Sequence, residues 1–175
     1  MKKKNNKGFS MLELIISIAI LVILAGLLAP QLIKYVEKSR EARDMQTIDN
    51  VYMAVNTAMA NEKAYREYSG LSKQYTNNLE NGVSLPTIMD TGEYGDLGKE
   101  ITRILNEERT EIKLVSKRAL GTGENGKIFV QIRRETDANG NVYDDEIGFE
   151  IAVYAGTNKG EVTDSDFKVG IVDFD

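Results

Sequence analysis

Apolar and polar residues follow three successive rhythms along this chain. From Leu14 to Ile33 no residue is formally charged, and the polar ones are Ser17 and Gln31. At about 1.5 Å per residue, those roughly 20 positions make a helix about 30 Å long, the thickness of a bilayer core. A cleaved secretory signal has a shorter apolar stretch and a small-residue cleavage site, so the stretch reads as a retained membrane-spanning helix. In the next segment, "QLIKYVEKSREARDMQTIDNVYMAVNTAMANEKAYREY", there is neither Gly nor Pro, and Met45, Ile48, Tyr52, Val55 and Met59 recur at spacings of 3, 4, 3 and 4. That is the apolar stripe of an amphipathic helix. Together the two stretches predict one continuous helix from about Phe9 to about Tyr65, roughly 80 Å long.

Between Ser69 and Gly98 the chain is rich in Gly, Asn and Thr, with Pro86 and the dipeptide Asn81-Gly82. This reads as a loop region with at most one short element. Leu97, Ile101, Ile104 and Leu105 then fall at helical spacing and predict a short helix. Beyond it the period drops to two. Ile112 and Leu114, then Ile128, Val130 and Ile132, then Ile147, Phe149, Ile151 and Val153, then Phe167, Val169 and Ile171 alternate with more polar residues, which predicts about four half-buried antiparallel strands. Asn139-Gly140, between the second and third runs, is a favoured hairpin turn.

The sheet needs a cover, and the amphipathic half of the long helix supplies one. The expected fold is α+β, a long N-terminal helix packed on a C-terminal antiparallel sheet. Its expected segments are a leader at 1–8, a membrane helix at 9–33, the amphipathic half at 34–66, a loop region with a short helix at 67–110, and the sheet at 111–175.

Charge sets the orientation of the membrane helix. Lys2, Lys3, Lys4 and Lys7 precede it and hold the N-terminus in the cytoplasm, so the body lies outside. Beyond that leader, 18 Lys plus Arg face 27 Asp plus Glu, a net charge of about −9, and direct binding to nucleic acid by counterion release is not expected. With no Cys, His or Trp, triads, zinc sites and heme ligation lack their usual residues. No enzyme, metal or cofactor is expected. The acidic run Asp137, Asn139, Asn141, Asp144, Asp145 and Glu146 invites a calcium reading. It misses the EF-hand pattern, with Val142 at the glycine position and Gly148 at the bidentate glutamate, and reads better as a solvated hairpin loop.

Glu13 is the chemical anomaly. A carboxylate inside a membrane segment is expensive and marks a functional site once its partner is named. A cut between Gly8 and Phe9 would remove the lysines and create an α-ammonium at Phe9, four residues before Glu13. The pair can close on one helix face or between two chains, where misregistered charges in low dielectric are costly and so set axial register.

"KGFSMLE" ahead of some twenty apolar residues resembles the leader of type IV prepilins, which end a short basic segment in Gly and carry Glu as the fifth mature residue. The resemblance is specific through about Pro30. It implies cleavage after Gly8 by a prepilin peptidase, N-methylation of Phe9, and neutralisation of a neighbour's N-terminus by Glu13 during filament assembly. It also implies loss of helical order near Val22 to Pro30 in the filament. Pro30 lacks the amide that would reach the carbonyl of Gly26, itself a poor helix former; a simple kink is the other reading.

The absence of cysteine looks like the Gram-positive class of these proteins. Lys34, Glu37, Lys38, Arg40, Glu41, Arg43 and Asp44 lie just outside the membrane, either as charge pairs between subunits or as a solvated face. The favoured function is a major pilin, inserted in the cytoplasmic membrane as a precursor and extracellular when mature. It would partner itself, an assembly platform and minor pilins. A pseudopilin of a type II secretion or competence system shares the leader and Glu13, and a single-pass membrane sensor leaves both unexplained.

Overall fold

The computed structural model describes residues 10–71, 73–90, 92–106, 112–121, 126–134, 148–157 and 160–170. Its internal contacts divide the chain into two units, Met1–Ser39 and Arg40–Asp175. Helix α1, Met11–Met59, runs through both and stays helical past Gly26 with Pro30 inside it. Among the described residues of the first unit no apolar side chain is buried. From Met11 to Val36 the large apolar residues retain between 44% and 79% of their surface, and the most apolar window of α1 has a mean hydropathy of 2.8 with none of it buried.

In the second unit α1 turns amphipathic and buries Asp44, Ile48, Val51, Ala54, Val55, Ala58 and Met59. The stripe is therefore rotated from the expected one: Met45 and Tyr52 stand at its half-buried margin, and Val51, Ala54 and Ala58 occupy the centre. The expected continuation to Tyr65 also fails. α1 closes at Met59, and Asn61, with extended backbone at φ −80 and ψ 124, caps a new helix α2 at Glu62–Gly70. Its Oδ1 accepts the amides of Lys63 at 2.9 Å and Ala64 at 3.4 Å. An asparagine side chain competes in this way for amides that would otherwise continue the preceding helix.

The expected loop region is instead mostly helical. α2 is followed by α3, Lys73–Asn81, a two-residue strand β1, Val83–Ser84, and α4, Leu85–Met89. Each helix is too short for its apolar residues to show a period. Pro86, read as a loop signal, lies at the first turn of α4, where a missing amide costs nothing. Gly82, between α3 and β1, has φ +94, and a Cβ there would collide with the Tyr154 hydroxyl. The predicted helix at Leu97 to Leu105 is α5, Gly95–Leu105, ended by Asn106 in the left-handed region at φ 48.

The sheet is antiparallel throughout, in the order β1-β2-β3-β4, with β2 at Lys127–Arg134, β3 at Phe149–Gly156 and β4 at Lys168–Gly170. Ile112 and Leu114 do not form a strand. Residues 112–115 have no regular structure, and the first strand is β1, paired through Val83 and Val130. The centre of the sheet is covered on both faces, against the expected half-burial. Ile128, Val130, Ile132, Ile151, Val153 and Ala155 share one core with Ile48, Val51 and Val55 of α1. On the reverse face Phe129 stacks on Tyr154, with centroids 5.6 Å apart. Beside them Gln131 Nε2 donates to the Glu80 carbonyl at 2.6 Å. The hairpin turn at Asn139-Gly140 lies outside the described residues.

Candidate functional site

The opening turn of α1 positions Glu13. The amide of Leu14 donates to the Ser10 carbonyl at 3.1 Å, and the amide of Ser10 donates to Glu13 Oε2 at 3.1 Å. Ser10 is thus the cap and Glu13 the third helical residue, the glutamate arm of a capping box. The positive end of the helix dipole falls in the same turn, so a carboxylate there is favoured before any cation arrives. Ser17 Oγ donates to the Glu13 carbonyl at 2.7 Å, which satisfies the other early polar side chain of the span. The sequence offers Glu13 no nearby cation before cleavage; the structure supplies a neutral donor in the same turn. The Ser-x-x-Glu spacing ahead of an apolar run is its signal in the sequence. Gly8 and Phe9 lie outside the described residues, as do the acidic positions from Asp137 to Glu146.

The charged stretch of α1 separates into different roles. Lys34, Lys38, Arg40 and Arg43 are exposed, and Glu37 is half-buried. Glu41 has a partner within the chain, Arg118 Nη1 at 3.6 Å. Asp44, grouped by spacing with a solvated or inter-subunit face, is fully buried. Its carboxylate accepts the amide of Val115 at 2.9 and 3.0 Å and that of Ser116 at 2.7 Å. These two amides are satisfied by a side chain and not by a neighbouring strand, just past the run at Ile112 and Leu114. Ser116 in turn caps helix α6, Lys117–Leu120, by accepting the Ala119 amide at 3.3 Å.

Arg118, on α6, gathers the remaining charges. Its guanidinium donates to Asp164 at 2.9 Å and to Asp166 at 2.5 Å, and it lies 5.7 Å from the centroid of Phe167. The hydrogen bonds it donates to Asp166 and Asp164 push the arginine further above its ordinary value. Asp164 is held below the usual carboxylate range, chiefly by the backbone amide of Asp166 and then by Arg118. Thr163 Oγ1 sits between the carbonyls of Ala119 at 3.0 Å and Ala155 at 3.1 Å. Asp44, Ser116, Arg118 and Thr163 therefore clamp α1, α6, β3 and the approach to β4 in a cysteine-free chain.

This is a constellation that braces the fold. Among the described residues no cluster of three metal-ligating side chains occurs. The sequence spacing revealed Glu13 but gave no sign of Asp44 and Arg118, whose partners lie far along the chain.

Residues 3–29 match the family described as the prokaryotic N-terminal methylation motif. No curated protein and no solved structure matches the chain. The matched segment is the type IV pilin-like prepilin leader, and it supports a type IV pilin or pseudopilin.

Proposed function

We propose that this pilin-type chain is the structural subunit of a type IV pilus, a major pilin made as a membrane precursor and polymerised into a surface filament. The observation that carries the reading is the unpartnered span from Met11 to Val36, which follows a prepilin leader and begins with a carboxylate held in its first turn. In a bilayer the span is solvated by lipid. In a filament it is covered by the same span of other subunits, which removes the apolar surface from water.

The assembly step follows from the chemistry of the first turn. A prepilin peptidase hydrolyses the Gly8–Phe9 peptide bond with water, and the new amine of Phe9 takes a methyl group from a sulfonium methyl donor, which leaves as the thioether while the amine gives up a proton. The Glu13 carboxylate then exchanges its neutral donor, the Ser10 amide, for the ammonium of a neighbouring subunit. The Ser10 amide bond is already charge-assisted through the carboxylate, so the ammonium adds the attraction of a full opposite charge, and in low dielectric a carboxylate and an ammonium that miss each other are both expensive. The exchange therefore selects one axial register. The resulting filament serves adhesion, aggregation or twitching motility.

Mass spectrometry of sheared surface filaments tests this, with a first peptide beginning at methylated Phe9 as the expected result. Glu13→Gln separates two roles of the residue, because glutamine still accepts the Ser10 amide but offers no charge to an ammonium. Both Glu13→Gln and Glu13→Ala should be cleaved and inserted normally yet lose filaments at least tenfold. Normal piliation of the glutamine variant would reduce Glu13 to a helix cap. Recovery of the mature chain only in short assemblies of a secretion or uptake apparatus would select the pseudopilin reading.

A further inference from the structure

Asn81-Gly82 joins α3 to β1, and an asparagine followed by glycine is the context in which a side-chain amide is lost most readily, because no Cβ shields the next backbone nitrogen. The turn needs that glycine. Its φ is +94, and a Cβ would collide with the Tyr154 hydroxyl, which donates to the Gly160 carbonyl at 3.1 Å. The fold opposes the reaction that the sequence invites. Asn81 ends α3, and its Nδ2 donates back along the helix to the Asn77 carbonyl at 2.8 Å, so the carboxamide is turned away from the nitrogen that would attack it. The Gly82 amide donates to the Leu79 carbonyl at 3.2 Å and is held away from the base that must take its proton. Ring closure also needs rotation about the Asn81 backbone, which the buried Val83, paired with Val130, resists.

We propose that Asn81 is a deamidation site gated by the fold, closed in the native head and reactive when the turn between α3 and β1 opens. In the open turn a solvent base takes the Gly82 amide proton, and the nitrogen attacks Asn81 Cγ. The new carbon–nitrogen bond closes a succinimide as the bond to Nδ2 breaks, and Nδ2 leaves as ammonia with the proton balance restored from solvent. Water then opens the ring. Attack at Cγ gives aspartate; attack at the backbone carbonyl carbon gives isoaspartate, whose main chain is one atom longer. That extra atom falls directly before Val83 and Ser84, which pair with Val130 and Phe129, and beside the contact of Gly82 with Tyr154. A strand of two residues cannot absorb it without losing register. The isoaspartyl product therefore excludes from the native fold a chain whose turn has opened, and the rate in the native chain follows how often that turn opens.

The test is site-resolved peptide mapping of the detergent-solubilised full chain, incubated at mildly alkaline pH with and without denaturing urea. Asn125-Gly126 and Asn139-Gly140 are further dipeptides of this kind, and the map separates them from Asn81. Deamidation of Asn81 should be at least tenfold slower without urea, and equal rates overturn the gate. Partly deamidated chains are then returned to native conditions and divided into folded and unfolded fractions. Isoaspartate at position 81 should be at least tenfold enriched in the unfolded fraction; an equal share in both overturns the exclusion from the fold. Asn81→Asp carries the charge of the product on a main chain of ordinary length and should fold and melt within a few degrees of wild type. Failure of that variant to fold would assign the effect to charge and overturn the argument from backbone length.

Discussion

Asp44 and Glu13 are both carboxylates in apolar surroundings, and both are held by backbone amides. For Glu13 the donor is three residues away and comes with the helix turn. For Asp44 the donors are 71 and 72 residues away, and no pattern along the chain announces them. A buried amide left without an acceptor costs about 1–3 kcal/mol. Asp44→Ala, which strands two, should therefore lower unfolding stability by about 2–4 kcal/mol, measured by denaturant titration of the solubilised chain. Asp44→Asn keeps one acceptor oxygen and should lose less. Equal losses for the two variants would show that the site depends on the negative charge and not on filling the acceptor positions.

At the level of elements, apolar period identified what was long and missed what was short. α1 and α5, β2 and β3 carry enough repeats to be read. α2, α3 and α4 have one or two turns each, and β1 has two residues, so their existence depends on the surfaces they cover. The end of α1 was misplaced for a different reason. Asn61 is compatible with a helix interior by composition alone, and only its side-chain bonds to Lys63 and Ala64 show that it starts a new one.

The clamp at Arg118 is an element-level device, because it joins α6 to α1 and to the run between β3 and β4. Its acid response has a definite sign. Asp164 is held below the usual carboxylate range, so its contribution is fully present above about pH 4 and disappears as pH falls through the lowered folded value. Arg118→Ala should lower the melting temperature by a few degrees at neutral pH. The gap to wild type should close progressively in strong acid, as followed by thermal melts across a pH series. A gap independent of pH would mean that Arg118 acts through its packing on Phe167 and not through its charge.

On the scale of the whole molecule, the two units divide the physical problem. The second has its own core, from Ile48 and Val55 on α1 to Val130 and Val153 in the sheet; among the described residues of the first, none is buried. A chain beginning at Arg40 should therefore fold and run as a soluble monomer in size-exclusion chromatography, while the full chain should require detergent. Aggregation of the shortened chain in an unfolded form would show that the head depends on residues before it.

The sequence by itself determined the membrane-length helix, the sign and position of the charges around it, the leader with Glu13, and the central strands. Each of these is written in neighbouring residues, where a turn or a pleat repeats often enough to be counted. Tertiary structure alone decided that Asp44 is core and not surface, that Ile112 to Val115 forgoes a strand, that Val83 and Ser84 take that place in the sheet, and that Arg118 closes the head. Those outcomes turn on which donor meets which acceptor across 46 to 72 residues of chain, and a local pattern carries no information about that meeting.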